Sequence, residues 1–366
     1  MSYTERKVMY QKIEEIRGNP LISYVTSIRP NCGAQMASDS IACIISQIEK
    51  IPDENKEIDF LIISNGGDPI TSLRIISILR ERFDKITVLI PFVAYSAATI
   101  LALGADDIIM HPYSNLGPVD PQLTVSKKNA SGQQSNISFS SEDIRNYIDF
   151  LKSDIGITDQ AQLASAFNLL SNEVGPLPIG SAKRSQQLSH SLSIKMLESH
   201  MHDKNKVETI AKALNSAYYH HGYAVGRTEA TNMGLNITKP DKILELLLWD
   251  IWKDFEHEMK CNQAFDVVSE IMSNPEARAK LQTIPVINVP AHTPPNVINT
   301  IFTQYIQKSG IEIRSSIEIN QLLASVESEK SAIHINTTYT ILYWRNPDMA
   351  LSYNVTANSQ GWLNVN

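Results

Sequence analysis

Three groups about thirty residues apart could together carry acyl chemistry: the paired glycines Gly66 and Gly67 in ISNGGD (63–68), and Ser96 in AYSAAT (94–99). A serine hydroxyl attacks a carbonyl when a base takes its proton and amide N–H groups receive the charge on oxygen. Adjacent glycines let backbone N–H groups face a cleft that a Cβ would obstruct. Ser96 stands where the apolar run KITVLIPF gives way to small residues with Leu and Ile, closing at Gly104. That is the pattern of a strand-to-helix junction. A backbone N–H of the glycine turn and that of Ala97 would then flank a carbonyl attacked by Ser96. A purely structural reading competes with this one: serine is a favoured helix N-cap, and a glycine pair is usually just a turn.

The surrounding elements must bring these groups together. PLISYVTS (20–27), IDFLIIS (58–64), ITVLIPF (86–92) and DDIIM (106–110) read as strands, the second as one buried on both faces. Between them, 36–51 and 69–83 read as helices, the latter with Ile70, Leu73, Ile76 and Leu79 on its apolar face, and a third helix begins at Ser96. Such alternation with tight connections predicts an α/β layer fold with parallel strands, whose ligand sites collect at the carboxyl ends of the strands. Both the glycine turn and Ser96 leave from those ends. The polar stretch 126–141 reads as a surface loop or short exposed hairpin. Helices are expected over 142–155, 159–171, 183–201 and 205–219, with GPLPIG (175–180) as a break and a short helix at 226–235. From about Pro240 the character shifts to a strong amphipathic helix, a Pro-rich connection and further α/β material. The expected domains are 1–240 and 241–366, the second smaller and of unknown role.

Composition narrows the classes. With 43% apolar and 19% charged residues in 366, the chain reads as globular. Its net charge of −7 argues against nucleic acid or anionic lipid as a partner. Three scattered cysteines, Cys32, Cys43 and Cys261, form neither a disulfide framework nor a CxxC pair, so no metal is expected. The histidines at 200 and 202 are two apart and face different ways on a helix. No phosphate-cradling Gly-rich loop and no other cofactor motif is present, so none is assigned. The N-terminal segment lacks an apolar h-region, and no run approaches a membrane span. The expected compartment is the cytoplasm.

The segment from YVTSIRP through NGGD, AYSAAT and LGPVDPQL, roughly residues 18–123, resembles the serine dehydrogenase proteinase family. That family is similar to the SppA signal peptide peptidases and to ClpP, within the Clp/crotonase fold. HHGYAVGRTEATNMGLNI continues the likeness more loosely, and the C-terminal third matches nothing. The resemblance implies a nucleophile at Ser96, an oxyanion hole at Gly67 and Ala97, a peptide or protein substrate, and a homo-oligomer. Two departures stand out: SNGG where the family has SPGG, and Ala98 where it has glycine. A helix accepts alanine readily, so Ala98 should leave the fold intact while narrowing the cleft or altering its packing.

The base is not settled by sequence. Where ClpP places its histidine, this chain offers Asp120, and His220 and His221 fall near the position of the ClpP aspartate. An inverted arrangement, His221 as base beside Asp120, is one possibility; a helix-end histidine without catalytic work is the other. The lysine of SppA-like relatives has no counterpart in SSEDIRNY, Lys127 and Lys128 sit in polar surroundings, and His111 borders a strand near the cleft rim. Two functions are therefore carried forward. The first is a cytoplasmic Clp-fold serine peptidase forming an acyl-enzyme at Ser96. The alternative is a catalytically impaired scaffold of the same fold that binds peptides or a partner protein. A crotonase-like acyl-CoA chemistry needs no nucleophilic serine. The C-terminal domain is a candidate for partner recruitment.

Overall fold

The apolar runs of the N-terminal half form parallel strands in the computed structural model, which describes residues 2–128, 134–216, 222–282, 287–309, 314–346 and 350–365. The chain divides into two compact units: Met1–Thr26 with Gln35–Asp254 and Val326–Ser331, and Ser27–Ala34 with Phe255–Ser325 and Ala332–Asn366.

The first unit opens with α1 (Tyr3–Arg17), β1 (Leu21–Thr26), α2 (Ser40–Ile48), β2 (Glu57–Ile63), α3 (Pro69–Arg82) and β3 (Lys85–Ile90). Next come β4 (Val93–Ala94), α4 (Ala97–Leu103), β5 (Asp107–Met110) and β6 (Asn115–Leu116). A hairpin of β7 (Leu123–Lys128) and β8 (Gln134–Phe139) follows, then α5 (Ser141–Asp149), α6 (Gln160–Val174), α7 (Pro176–Glu198) and α8 (Lys204–Ser216). The unit continues through β9 (Val225–Gly226), α9 (Arg227–Met233), β10 (Ile237–Thr238) and α10 (Lys242–Glu258), the last as far as Asp254. Its sheet runs β10-β5-β3-β2-β1 with every pair parallel, the α/β architecture the alternation predicts. β2 and β3 are buried on both faces apart from their first residues, as unbroken Ile, Leu and Val runs require. A second, three-stranded sheet, β4-β6-β9, carries the segment that leads into Ser96.

Three readings of the sequence are corrected, and of the two offered for the polar stretch the hairpin is the one found. The first inter-strand helix spans only 40–48, because Met36 is drawn into a bridge with Gly67. The buried face of α3 is Thr71, Ser72, Ile75, Ile76 and Leu79, while Ile70 is exposed. Small hydroxyl residues take that face since the helix approaches α4 closely, Ser72 donating to the Ala97 carbonyl at 2.6 Å. Pro176 does not interrupt a helix but begins α7, where its missing N–H has no partner to lose. The polar stretch at 126–141 is an antiparallel hairpin that begins at Leu123, and its inner side chains pack with Phe139, Val174 and Ala182.

A fully buried ionic group ties distant segments into this unit. Arg6 donates to Glu327 at 2.7 and 2.9 Å and to Asp254 at 2.5 Å, and Tyr10 donates to Glu327 at 2.8 Å. Removing either side of such a cluster strands a charge without water, which costs about 3–5 kcal/mol.

The second unit contains α11 (Val267–Ser273), α12 (Pro275–Gln282) and α13 (Pro295–Ser309). It also holds β11 (Arg314–Ser328) as far as Ser325, β12 (Ala332–Arg345) and β13 (Leu351–Val365). β12 and β13 pair antiparallel, and Ile271, Ala277, Leu281, Ile341 and Tyr343 form a core. Arg29 is buried here, donating to Gln321 at 2.6 Å, Glu270 at 2.5 Å and the Gln263 carbonyl at 2.9 Å.

Candidate functional site

Ser96 occupies a backbone conformation that a serine rarely adopts, φ 51° and ψ −115°. This is the first central position of a type II′ turn, where glycine is the usual residue. The turn closes with Ala98 N–H donating to the Tyr95 carbonyl at 2.9 Å, and α4 starts within it. Holding a non-glycine residue there costs about 1–3 kcal/mol. The side chain does not offset that cost by capping, since it accepts no bond from the helix N-terminus. An N-cap role is thereby excluded: such a residue has extended dihedrals and a capping bond, and Ser96 has neither. Its hydroxyl is half-buried and makes no hydrogen bond among the described residues.

The glycine turn lies directly against this elbow. A Cβ on Gly66 (φ +98°) would fall 2.5 Å from the Tyr95 carbonyl oxygen and 2.9 Å from both the Ala97 nitrogen and the Ser96 Cβ. A Cβ on Gly67 (φ +149°) would strike the Met36 backbone at 2.3 and 2.5 Å. Only glycines fit between the two. Met36 donates to Gly66 O at 2.8 Å and accepts from Asp68 N–H at 2.9 Å. In a parallel ladder that leaves the Gly67 N–H on the opposite side from Met36. Neither it nor the Ala97 N–H, at the first position of α4, has an acceptor among the described residues. Two unpaired amides beside one unpaired hydroxyl are the parts an acyl-transfer centre needs.

Thr99 locks the frame from below. Its hydroxyl lies 2.7 Å from the Ala94 carbonyl and 2.9 Å from that of Gly117, and it accepts the Gly117 N–H at 3.2 Å. Gly117 passes flat against Tyr95, its Cβ position 2.6 Å from the ring. Thr99 was visible in the motif; the part played by Met36 had no sequence signal, being a pairing between segments thirty residues apart.

Asp120 follows directly on this strip, after Val119, whose N–H donates to Leu214 O at 2.8 Å. Burial pushes the Asp120 carboxyl up to about 6, with Ser140 pulling it down and Asp143 and Glu142 adding to the rise. Its Oδ1 is buried without a hydrogen-bond partner among the described residues. His220 and His221 lie outside the described residues. His111 is engaged elsewhere: its ring stacks on Trp249 at 4.8 Å, and its Nδ1 accepts the Tyr113 N–H at 3.1 Å. Burial also lowers its pKa. Lys127 is exposed and ion-paired with Glu173 at 2.8 Å. Ala98 is fully buried within α4, so its methyl is part of the packing. The structure thus brings together Ser96, Ala97, Gly66 and Gly67, with Gly117 against Tyr95, and shows no base bonded to the Ser96 hydroxyl among the described residues.

Comparison with known proteins meets the same segment. Residues 35–174 match the family described as ClpP-like SDH-type serine proteinase. Two uncharacterized proteins of Methanocaldococcus jannaschii align at 40% identity over 74 residues and 39% over 80, which is 20% and 22% of this chain. The chain spans only 25% and 28% of the length of these curated relatives. Among solved structures, a mutant of the 1510-N membrane-bound stomatin-specific protease is similar at 17% identity and TM-score 0.34, over 62% of this chain and 83% of that one. ClpP1 from Listeria monocytogenes is similar at 11% identity and TM-score 0.32, over 64% and 98%. No helix among the described residues is long and apolar enough to cross a membrane. The matched residues 35–174 hold both the glycine turn and the strained serine, and over that segment the chain is similar to the ClpP-like SDH-type serine proteinases.

Proposed function

We propose that this protein is a serine peptidase whose acyl-enzyme forms at Ser96. The Ser96 oxygen attacks the peptide carbonyl, the N–H groups of Gly67 and Ala97 receive the oxyanion, and the amine leaves with a proton. Water then releases the acyl group. Asp120 and His221 are the proposed proton-handling groups. Burial leaves Asp120 with a pKa of about 6, basic enough to accept a proton near neutral pH. The peptidase role is assigned to residues 1–240, with 241–366 as a domain that recruits a partner. A cytoplasmic homo-oligomer acting on peptides or proteins completes the reading.

One observation carries it: a serine held at φ 51° with no capping bond, beside two amides that have no acceptor among the described residues. Strain of this kind persists where function selects it. A fluorophosphonate probe should label the wild-type chain and leave Ser96→Ala unlabelled; labelling of the mutant would end the assignment. The absence of a bonded base among the described residues favours the second reading, a peptide-binding scaffold without turnover. Peptide that binds uncut, with no labelling at any pH, would establish it.

A further inference from the structure

A second site candidate lies at the opposite end of the parallel sheet from Ser96. A cavity of about 300 Å³ opens beside the amino end of β1, between the last turn of α1, the segment after α2 and the turn at 328–330. Its lining includes Glu14, Gln47, Lys50, Asn55, Glu329 and Lys330.

Glu14 is held there against three opposing effects. It is half-buried, it sits in the last turn of α1 where the helix dipole is negative, and Glu329 and Asp59 lie near it. Burial, the largest of the causes, lifts its pKa to about 7. Only Oε1 is satisfied, by the Leu21 N–H at 2.7 Å; Oε2 makes no hydrogen bond among the described residues. Lys50, from the end of α2, rests on the Ser331 hydroxyl at 2.5 Å and pairs with no carboxylate among the described residues, Glu14 included. Lys330 is paired with Glu329, and its charge also reaches Glu14 and pulls that carboxyl's pKa down in part. The Asn55 carboxamide forms no hydrogen bond among the described residues. One cavity is therefore bordered by an unpaired acid and an unpaired ammonium that do not meet each other. A ligand of complementary charge would satisfy both.

We propose that this cavity binds a small zwitterion, a free amino acid or dipeptide, with its ammonium on Glu14 and its carboxylate on Lys50. The volume suits such a ligand and excludes a folded partner. A titratable acid beside an open cavity is also a common mark of a binding site. The assignment is independent of whether Ser96 is a nucleophile.

The test is calorimetric titration of the full-length Ser96→Ala protein, which cannot turn peptides over through that serine, with dialanine, N-acetyl-dialanine and dialanine amide. Dialanine should bind saturably at millimolar concentration. Acetylation and amidation should each weaken binding by about tenfold or more, as loss of a charge-assisted contact does. Glu14→Gln should reproduce the effect of acetylation, and Lys50→Met that of amidation. Near pH 7 binding should release a proton, since the ammonium favours ionised Glu14; heats in two buffers of different ionisation enthalpy would measure it. No saturable heat with any compound overturns the proposal, and so does equal binding of all three. Undiminished affinity in Lys50→Met overturns it as well, and this arm stands even if Glu14→Gln does not fold.

Discussion

Two strand-to-helix junctions, one after β2 and one after β4, are built to opposite ends. At the start of α3, Asp68 has extended dihedrals (φ −74°, ψ 115°), and its carboxylate accepts the N–H groups of Ile70 at 3.0 Å and Thr71 at 3.2 Å. Pro69 follows at the first helical position. At the start of α4, Ser96 has φ 51°, accepts nothing and leaves the Ala97 N–H without an acceptor among the described residues. The first junction satisfies its orphan amides with its own side chain, and α3 runs for 14 residues. The second keeps its amides open and carries a helix of 7. Local stability is given up at the junction where an incoming oxygen would need those amides. That contrast separates a self-capped junction from an uncapped one.

The contrast can be attacked at several points. The largest effect is expected from Gly66→Ala, whose new methyl would sit 2.5 Å from the Tyr95 carbonyl at φ +98°. With both strain and overlap, a loss of about 3 kcal/mol or more is expected in denaturant unfolding. A mild effect would mean the two turns are not in contact. Next, Asp68→Ala should cost about 1 kcal/mol, the value of a helix cap. Ser96→Gly should move the other way and stabilise by roughly 1 kcal/mol as the strained φ relaxes. If Ser96→Gly instead destabilises, the serine is a structural residue and the comparison fails. Ser96→Ala, which keeps the strain and loses no bond, should change stability by no more than about 0.5 kcal/mol.

An effect confined to one side of a titration concerns Asp120. Its carboxyl titrates at about 6 when folded, raised from 3.8, chiefly by burial. A raised value favours the protonated form, so this contribution is complete below the unfolded pKa and is lost as pH rises through 6. Asp120→Asn should therefore stabilise the fold above that pH by about 1 kcal/mol, discounted for partial solvent access, and have little effect near pH 4. Melting curves at the two pH values check this. If Asp120 also handles the proton, the wild-type pH profile of probe labelling should show a limb near 6 that Asp120→Asn removes.

Much of the site was legible because its parts are local. Ser96, Ala97 and Thr99 sit within one turn, and the glycine pair marks itself by needing backbone that other residues avoid. The strands were legible because burial on both faces demands continuous apolar runs. What was not legible depends on segments far apart in the chain. The Met36 to Gly67 bridge shortened a helix whose apolar spacing continued past its true ends. The face of α3 turned toward hydroxyl residues because a neighbouring helix is close, and no periodicity records that. Nor does anything near residues 326–331 announce that Glu327 will be buried against Arg6 in the first unit.

The amino-acid sequence by itself determined the alternation of strands and helices, the parallel sheet, and which residue types stand at the uncapped junction. Those follow from short-range rules: the period of apolar residues and the freedom of glycine. Tertiary structure alone decided that Ser96 is strained and uncapped, that the amides of Gly67 and Ala97 stay unpaired beside it, and that Glu14 and Lys50 border one cavity without meeting. Each of these is a statement about which hydrogen-bonding groups lack partners. A donor or acceptor is left open only by where the rest of the chain comes to lie.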